Sequence, residues 1–142
     1  HGTNVVIKGP PWLPRRDAYD HKISLVEEDF DYMRKAGINL IRLGVMWAGA
    51  EPERGQYNET YFGEIRSIVE QAAAHGMYIL LDMHQDLLSE RFCGEGVPPW
   101  VAEVPDESIM GFPVPLLPRP ADNGSDGFPT RSTCQSVFQD NP

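Results

Sequence analysis

Four ionisable side chains stand where apolar runs end or pass: Lys8, Arg42, His84 and Asp86. Lys8 closes an apolar stretch over residues 3–8, Arg42 lies inside the run 40–45, and His84 and Asp86 follow the run 78–81. Such groups are disfavoured in buried strands unless they are paired or used. Their types suit recognition of oxygen. A guanidinium favours the charged form of a neighbouring carboxylate and grips it through its planar fork. His84-x-Asp86 is also half of a metal site, but the sequence offers no second ligand pair nearby, and metal and cofactor are both expected to be absent. Each residue alone has a plain structural explanation. Arg42 pairs with Asp82, His84 is a satisfied core histidine, and Lys8 is a solvated strand end. At three consecutive strand ends they describe a binding face.

Three strands must hold them. Residues 37–45 and 76–82 each open on a glycine and continue as near-unbroken Ile, Leu and Val, as strands of a parallel sheet buried on both faces do. Residues 3–8 form the first strand. Ser24 followed by Glu27 reads as a capping box, worth ~1 kcal/mol, ahead of Val26, Phe30 and Met33 at helical spacing. Gly37 fits the left-handed position after that helix. A second helix starts near Asn58 or Thr60, carries the stripe Tyr61, Ile65, Ile68 and Ala72, and ends at Gly76. The order β-α-β-α-β implies parallel strands joined by right-handed crossovers. From Leu87 onward the periodicity stops, and nine of the thirteen prolines lie from Pro98 on. Proline removes donors and restricts its predecessor, so residues 87–142 read as a long loop insertion.

Two folds give that order. A dinucleotide-binding sheet needs glycines and free N–H groups at its first turn. Here the turn is Lys8-Gly9-Pro10-Pro11-Trp12-Leu13-Pro14. Polar residues gathered at strand C-termini match the active face of a (β/α)8 barrel instead. The expected class is α/β: the N-terminal part, about three βα units, of a TIM barrel. Residues 1–86 supply three strands and two helices, and 87–142 supply the strand-3 loop.

The chain has 142 residues, well short of the ~250 of a whole barrel. It opens at His1 without a signal peptide and ends Asn141-Pro142, and so reads as a piece of a longer protein. A net charge of -9 disfavours nucleic acid or an anionic membrane as a partner held by bulk charge. Two cysteines, Cys93 and Cys134, and two sequons, at Asn58 and Asn123, favour an oxidising, glycosylating compartment. A Cys93–Cys134 disulfide is expected.

The segment Asp82-Met83-His84-Gln85-Asp86-Leu87-Leu88-Ser89-Glu90-Arg91-Phe92-Cys93-Gly94-Glu95-Gly96-Val97-Pro98-Pro99-Trp100 resembles the third-strand motif of endoglycoceramidases, glycoside hydrolase family 5 enzymes of the cellulase-like clan. His1-Gly2-Thr3-Asn4 running into Lys8-Gly9-Pro10-Pro11 resembles their first strand. Ile41-Arg42-Leu43-Gly44-Val45-Met46-Trp47, with Glu51-Pro52, resembles their second. The resemblance covers residues 1 to about 103. It implies retaining hydrolysis of the β-glycosidic bond between glycan and ceramide, by an acid/base and a nucleophile ~5–5.5 Å apart. In the family those carboxylates end strands four and seven, beyond Pro142 here. Glu90, Glu95 and Glu103 are assigned to neither role. The resemblance further implies that His84, Asp86 and Lys8 bind sugar hydroxyls and that Arg42 orients the nucleophile. Trp47 is a sugar platform or packs beneath the barrel rim. Trp12, Trp100, Phe112 and the run 114–117 form an apolar lip for a lipid tail, in peripheral contact with membrane lipid, or pack on the barrel. A secreted or lysosomal glycosidase acting on a glycolipid or oligosaccharide follows. The rivals are a β-glucosidase for other lipid glycosides such as steryl glucosides, a β-glucanase, and a non-catalytic carbohydrate-binding relative.

Overall fold

The computed structural model describes residues 1–102, 129–130 and 132–134. Phe112, residues 114–117, Glu103 and Asn123 lie outside them. Three parallel strands, β1 (Gly2–Val5), β2 (Leu40–Val45) and β3 (Tyr78–Met83), form one sheet in sequence order. The register sets Asn4 beside Arg42, Arg42 beside Leu80, and Gly44 beside Asp82. Side chains alternate across a strand, so Asn4, Arg42 and Asp82 share one face. Ile41 and Leu43 project from the other and are buried.

Helices α1 (Glu27–Lys35) and α3 (Glu59–Ala74) cover that second face. Phe30, Ile65, Ile68, Ala72 and Met77 join Ile41 and Leu43 in a single core cluster. Asn58 caps α3, its Oδ1 accepting from the Tyr61 N–H at 3.0 Å. Gly37 and Gly76 follow the two helices at φ +78° and +69°.

A short helix, α2 (Trp47–Ala50), lies directly after β2, so the first 86 residues hold three helices rather than two. The buried Tyr61 fastens it. The Met46 N–H donates to the Tyr61 hydroxyl at 2.9 Å, and burial pushes the phenol pKa up.

Two boundaries differ from the sequence reading. The β1 ladder ends at Val5 rather than Lys8. The chain still follows β2, with Val6 packed over Gly44, but ladder bonding has stopped. The capping box is not Ser24 with Glu27. Ser24 spends its hydroxyl on the Asp20 carbonyl at 2.8 Å, and α1 is capped at Val26, whose N–H donates to Asp29 Oδ2 at 2.8 Å. Trp12 is buried in the core cluster, which assigns it to packing rather than to an exposed lip.

Candidate functional site

The polar face of the sheet leads to a chain of charged groups beyond the strand ends. Arg42 Nη2 lies 2.6 Å from Asp82 Oδ2, the pairing expected of Arg42 taken alone. Asp82 Oδ2 is also 2.8 Å from His84 Nδ1. At that distance the tautomer protonated on Nδ1 donates to Asp82 and fixes the ring. His84 Nε2 faces Asp86 Oδ2 at 3.3 Å. The Lys8 ammonium then donates to Asp86 and forms an ion pair with Glu95, whose buried Oε1 lies 2.9 Å away without an aligned hydrogen bond. Lys8, His84, Asp86 and Arg42, predicted from separate strands, are thus brought together.

Backbone bonds hold the cluster in place. The His84 N–H donates to the Val45 carbonyl at 3.1 Å, extending β3 past Met83. Asp86 and Glu95 then form an antiparallel bridge. The return segment approaches so closely that glycine is required on both sides of Glu95. A Cβ on Gly94 would lie 2.1 Å from the Asp86 carbonyl oxygen, and one on Gly96, at φ +110°, would lie 2.3 Å from that of His84. Gly96 in turn accepts from the Ala48 N–H at 2.8 Å, tying the segment to α2. Cys93, two residues before Glu95, is disulfide-bonded to Cys134 with Cα atoms 5.3 Å apart.

The electrostatics follow from the contacts. The contacts with Asp86 and then with Glu95 raise the Lys8 pKa above its ordinary value. The Lys8 ammonium holds the Asp86 carboxyl below the usual range. Three carboxylates against two cations leave one negative charge on the cluster when His84 is neutral. Exposure divides its members: Lys8 and Asp86 side chains are 56% and 49% exposed, whereas Glu95 is 11% exposed. Lys8 and Asp86 therefore present a donor and an acceptor to an incoming polyol, and Glu95 lies behind them. His84, Asp86 and Glu95 offer ligand atoms within 4.8 Å of one another. The Lys8 ammonium already supplies those carboxylates with the positive charge that a metal would bring.

Glu95 is the member that sequence reasoning left out. Its signal was Gly94-Glu95-Gly96, an acid between two glycines shortly after His84 and Asp86. Trp47 is not in the cluster. Its indole N–H donates to Glu51 Oε2 at 2.7 Å, and its ring meets Trp100 edge-on at 5.7 Å. The Trp100 indole donates to the Glu51 carbonyl at 3.2 Å. Bonds from Trp47 and the Gly55 N–H hold the Glu51 carboxyl below its ordinary pKa. These contacts join the two half-buried indoles to Glu51 and to each other.

Residues 9–108 match the family described as cellulase (glycosyl hydrolase family 5). An endoglycoceramidase of Cyanea nozakii is 44% identical over 134 residues, covering 94% of this chain and 26% of that protein. An endoglycoceramidase of Hydra vulgaris is 47% identical over 116 residues, covering 82% and 22%. Among solved structures, endo-glycoceramidase II from Rhodococcus sp., captured as a lactosyl-enzyme intermediate, matches with a TM-score of 0.58. Its identity is 27%, over 83% of this chain and 26% of that one. The chain thus spans about a quarter of the length of the relatives it matches.

Proposed function

The chain belongs to glycosyl hydrolase family 5, and from that premise we propose that the whole protein is a retaining glycosidase cleaving the β-glycosidic bond between glycan and ceramide. The three parallel strands and the helices between them form part of the family's (β/α)8 barrel. The observation that carries the reading is the paired donor and acceptor of Lys8 and Asp86, which follow the two outer strands β1 and β3, on a chain whose similar proteins include endoglycoceramidases. The related enzyme's lactosyl-enzyme intermediate supports the two-carboxylate retaining course.

In this reading the acid/base and nucleophile come from barrel strands four and seven. The residues here bind the sugar beside the cleaved bond and orient the nucleophile. Lys8 donates to a sugar hydroxyl oxygen, Asp86 accepts from a hydroxyl, and His84 is held by Asp82 to face the same space. Arg42 keeps a second Nη donor face for the nucleophile carboxylate while bonded to Asp82. Catalysis requires such contacts to tighten in the transition state. The disulfide and the sequon at Asn58 support a secreted or lysosomal location. A glycolipid substrate adds peripheral contact with membrane lipid to the proposal.

The test uses the full-length protein with a fluorescent glycosylceramide. Release of intact oligosaccharide, formed first as the β-anomer by NMR, is expected. Cleavage of cellulose oligomers or steryl glucosides with no turnover of the glycosphingolipid would overturn the substrate. Formation of the α-anomer first would overturn retention.

A further inference from the structure

We infer that Glu95 is a positioning residue for sugar binding: its carboxylate anchors the Lys8 ammonium so that Asp86 is left free to accept from a sugar hydroxyl. The inference rests on the reading of this cluster as a sugar site. Lys8 touches two carboxylates of opposite character. Asp86 is half open to solvent, so a hydroxyl competes with Lys8 for it. Glu95 is buried, so nothing from outside displaces it. The lysine stem has four rotatable bonds and loses its geometry readily unless tethered.

Charge gives the second argument. With Asp86 alone, Lys8 would form a neutral pair, and a hydroxyl would have to break it before binding. With Glu95 behind, the ammonium keeps a partner when Asp86 turns to the substrate. One negative charge remains in the cluster to accept the hydroxyl proton in a charge-assisted bond. The anchor is also fixed in space. Glu95 exchanges two backbone bonds with Asp86 and is followed by Gly96, bonded to Ala48, so the spacing between Glu95 and Asp86 is set by the main chain. The two flanking glycines let the anchor approach this closely, since a Cβ on either would collide with the Asp86 or His84 carbonyl.

The experiment uses the full-length protein and the variants Glu95→Gln, Lys8→Met and the double variant. Two quantities are measured: kcat/KM on a fluorescent glycosylceramide, and the rate of Lys8 reductive methylation by mass spectrometry. Glu95→Gln keeps the shape and removes the charge. It is expected to lower kcat/KM about tenfold, mostly through KM, and to speed Lys8 methylation several-fold. The double variant is expected to be no worse than Lys8→Met alone. Effects that multiply, or unchanged Lys8 reactivity in Glu95→Gln, would overturn the inference. If Glu95→Gln fails to fold, Glu95→Asp replaces it, with the same non-additivity and a smaller rise in reactivity expected. If the wild-type protein cleaves no β-glycoside, the functional reading has failed separately. The methylation rate then decides by itself whether Glu95 holds Lys8.

Discussion

Asp86 and Glu95 stand opposite each other as a hydrogen-bonded antiparallel pair, the Asp86 N–H donating at 3.1 Å and the Glu95 N–H at 2.8 Å. Paired residues of this kind point their side chains to the same side. Two carboxylates so placed would repel unless a cation joined them, and Lys8, arriving from β1, is that cation. The site is thus closed by a contact across 78 residues of sequence and by a turn within the loop after β3.

Asp86→Ala and Lys8→Ala in the full-length protein should each lower kcat/KM by about tenfold or more, roughly 1.4 kcal/mol of transition-state binding. Both side chains are half exposed, so circular dichroism and melting temperature should stay near wild type. Wild-type kinetics for both variants would remove them from the substrate site.

The same pair sets a pH window. The Asp86 pKa is lowered and the Lys8 pKa is raised, each chiefly by the other. A depressed carboxylate contributes its stability above its unfolded value and loses it as pH falls through the folded value. A raised lysine keeps its contribution until pH climbs through its own folded value. The pair should therefore hold across neutral pH and open only below the ordinary aspartate range or above the ordinary lysine range. Carboxyl 13C NMR of Asp86 should titrate below the ordinary value of 3.8. A midpoint above it would contradict the contact.

Much of this arrangement was legible from residue types. The run 40–45 is apolar apart from Arg42, which stood out against it, although in the described residues only the Ile41 and Leu43 face is buried and β3 is largely exposed, contrary to the expectation of strands buried on both faces. Strand ends were read less well. Lys8 sits past the ladder, because packing of Val6 on Gly44 looks like strand continuation in the sequence. Ser24 has the composition of a cap, but its hydroxyl donates to the Asp20 carbonyl and Val26 takes the N-cap position. Glu95 was missed because its role depends on a chain reversal, and a sequence shows the glycines that permit a reversal without showing what lies across it.

Tyr61 offers a test of how α2 is held. Tyr61→Phe leaves the buried Met46 N–H without an acceptor, at a cost of about 1–3 kcal/mol. Gly49→Ala should cost more, since a Cβ there would lie 2.4 Å from the buried Tyr61 ring. Denaturant midpoints of the full-length protein measure both. Equal stability of Gly49→Ala and wild type would contradict the close approach.

Cys93 and Cys134 are separated by 41 residues, for which chain-entropy reasoning gives ~4 kcal/mol of stabilisation. Replacing both by alanine should lower the melting temperature. It should also lower activity, because Cys93 opens the segment that carries Glu95. Free thiols detected at either position in the purified protein would contradict the pairing.

Residues 1–142 expressed alone should neither turn over a glycoside nor persist as a soluble monomer. Among the described residues β3 pairs with β2 only. Tyr78, Leu80, Leu81 and Met83 are 72%, 53%, 56% and 79% exposed, on both faces of that strand. A barrel covers such positions with the next strand, the inner layers and the outer helices. Left open, an apolar strand with a free edge is a template for intermolecular pairing. Catalysis fails for a different reason, since the proposed acid/base and nucleophile belong to strands four and seven. The two failures separate in one preparation, by light scattering with hydrogen exchange and by assay on a fluorescent glycosylceramide. A monomer with protected β3 amides would contradict the first. Turnover above a no-enzyme control would contradict the second, and would return Glu90, Glu95 and Glu103 to consideration as catalytic groups.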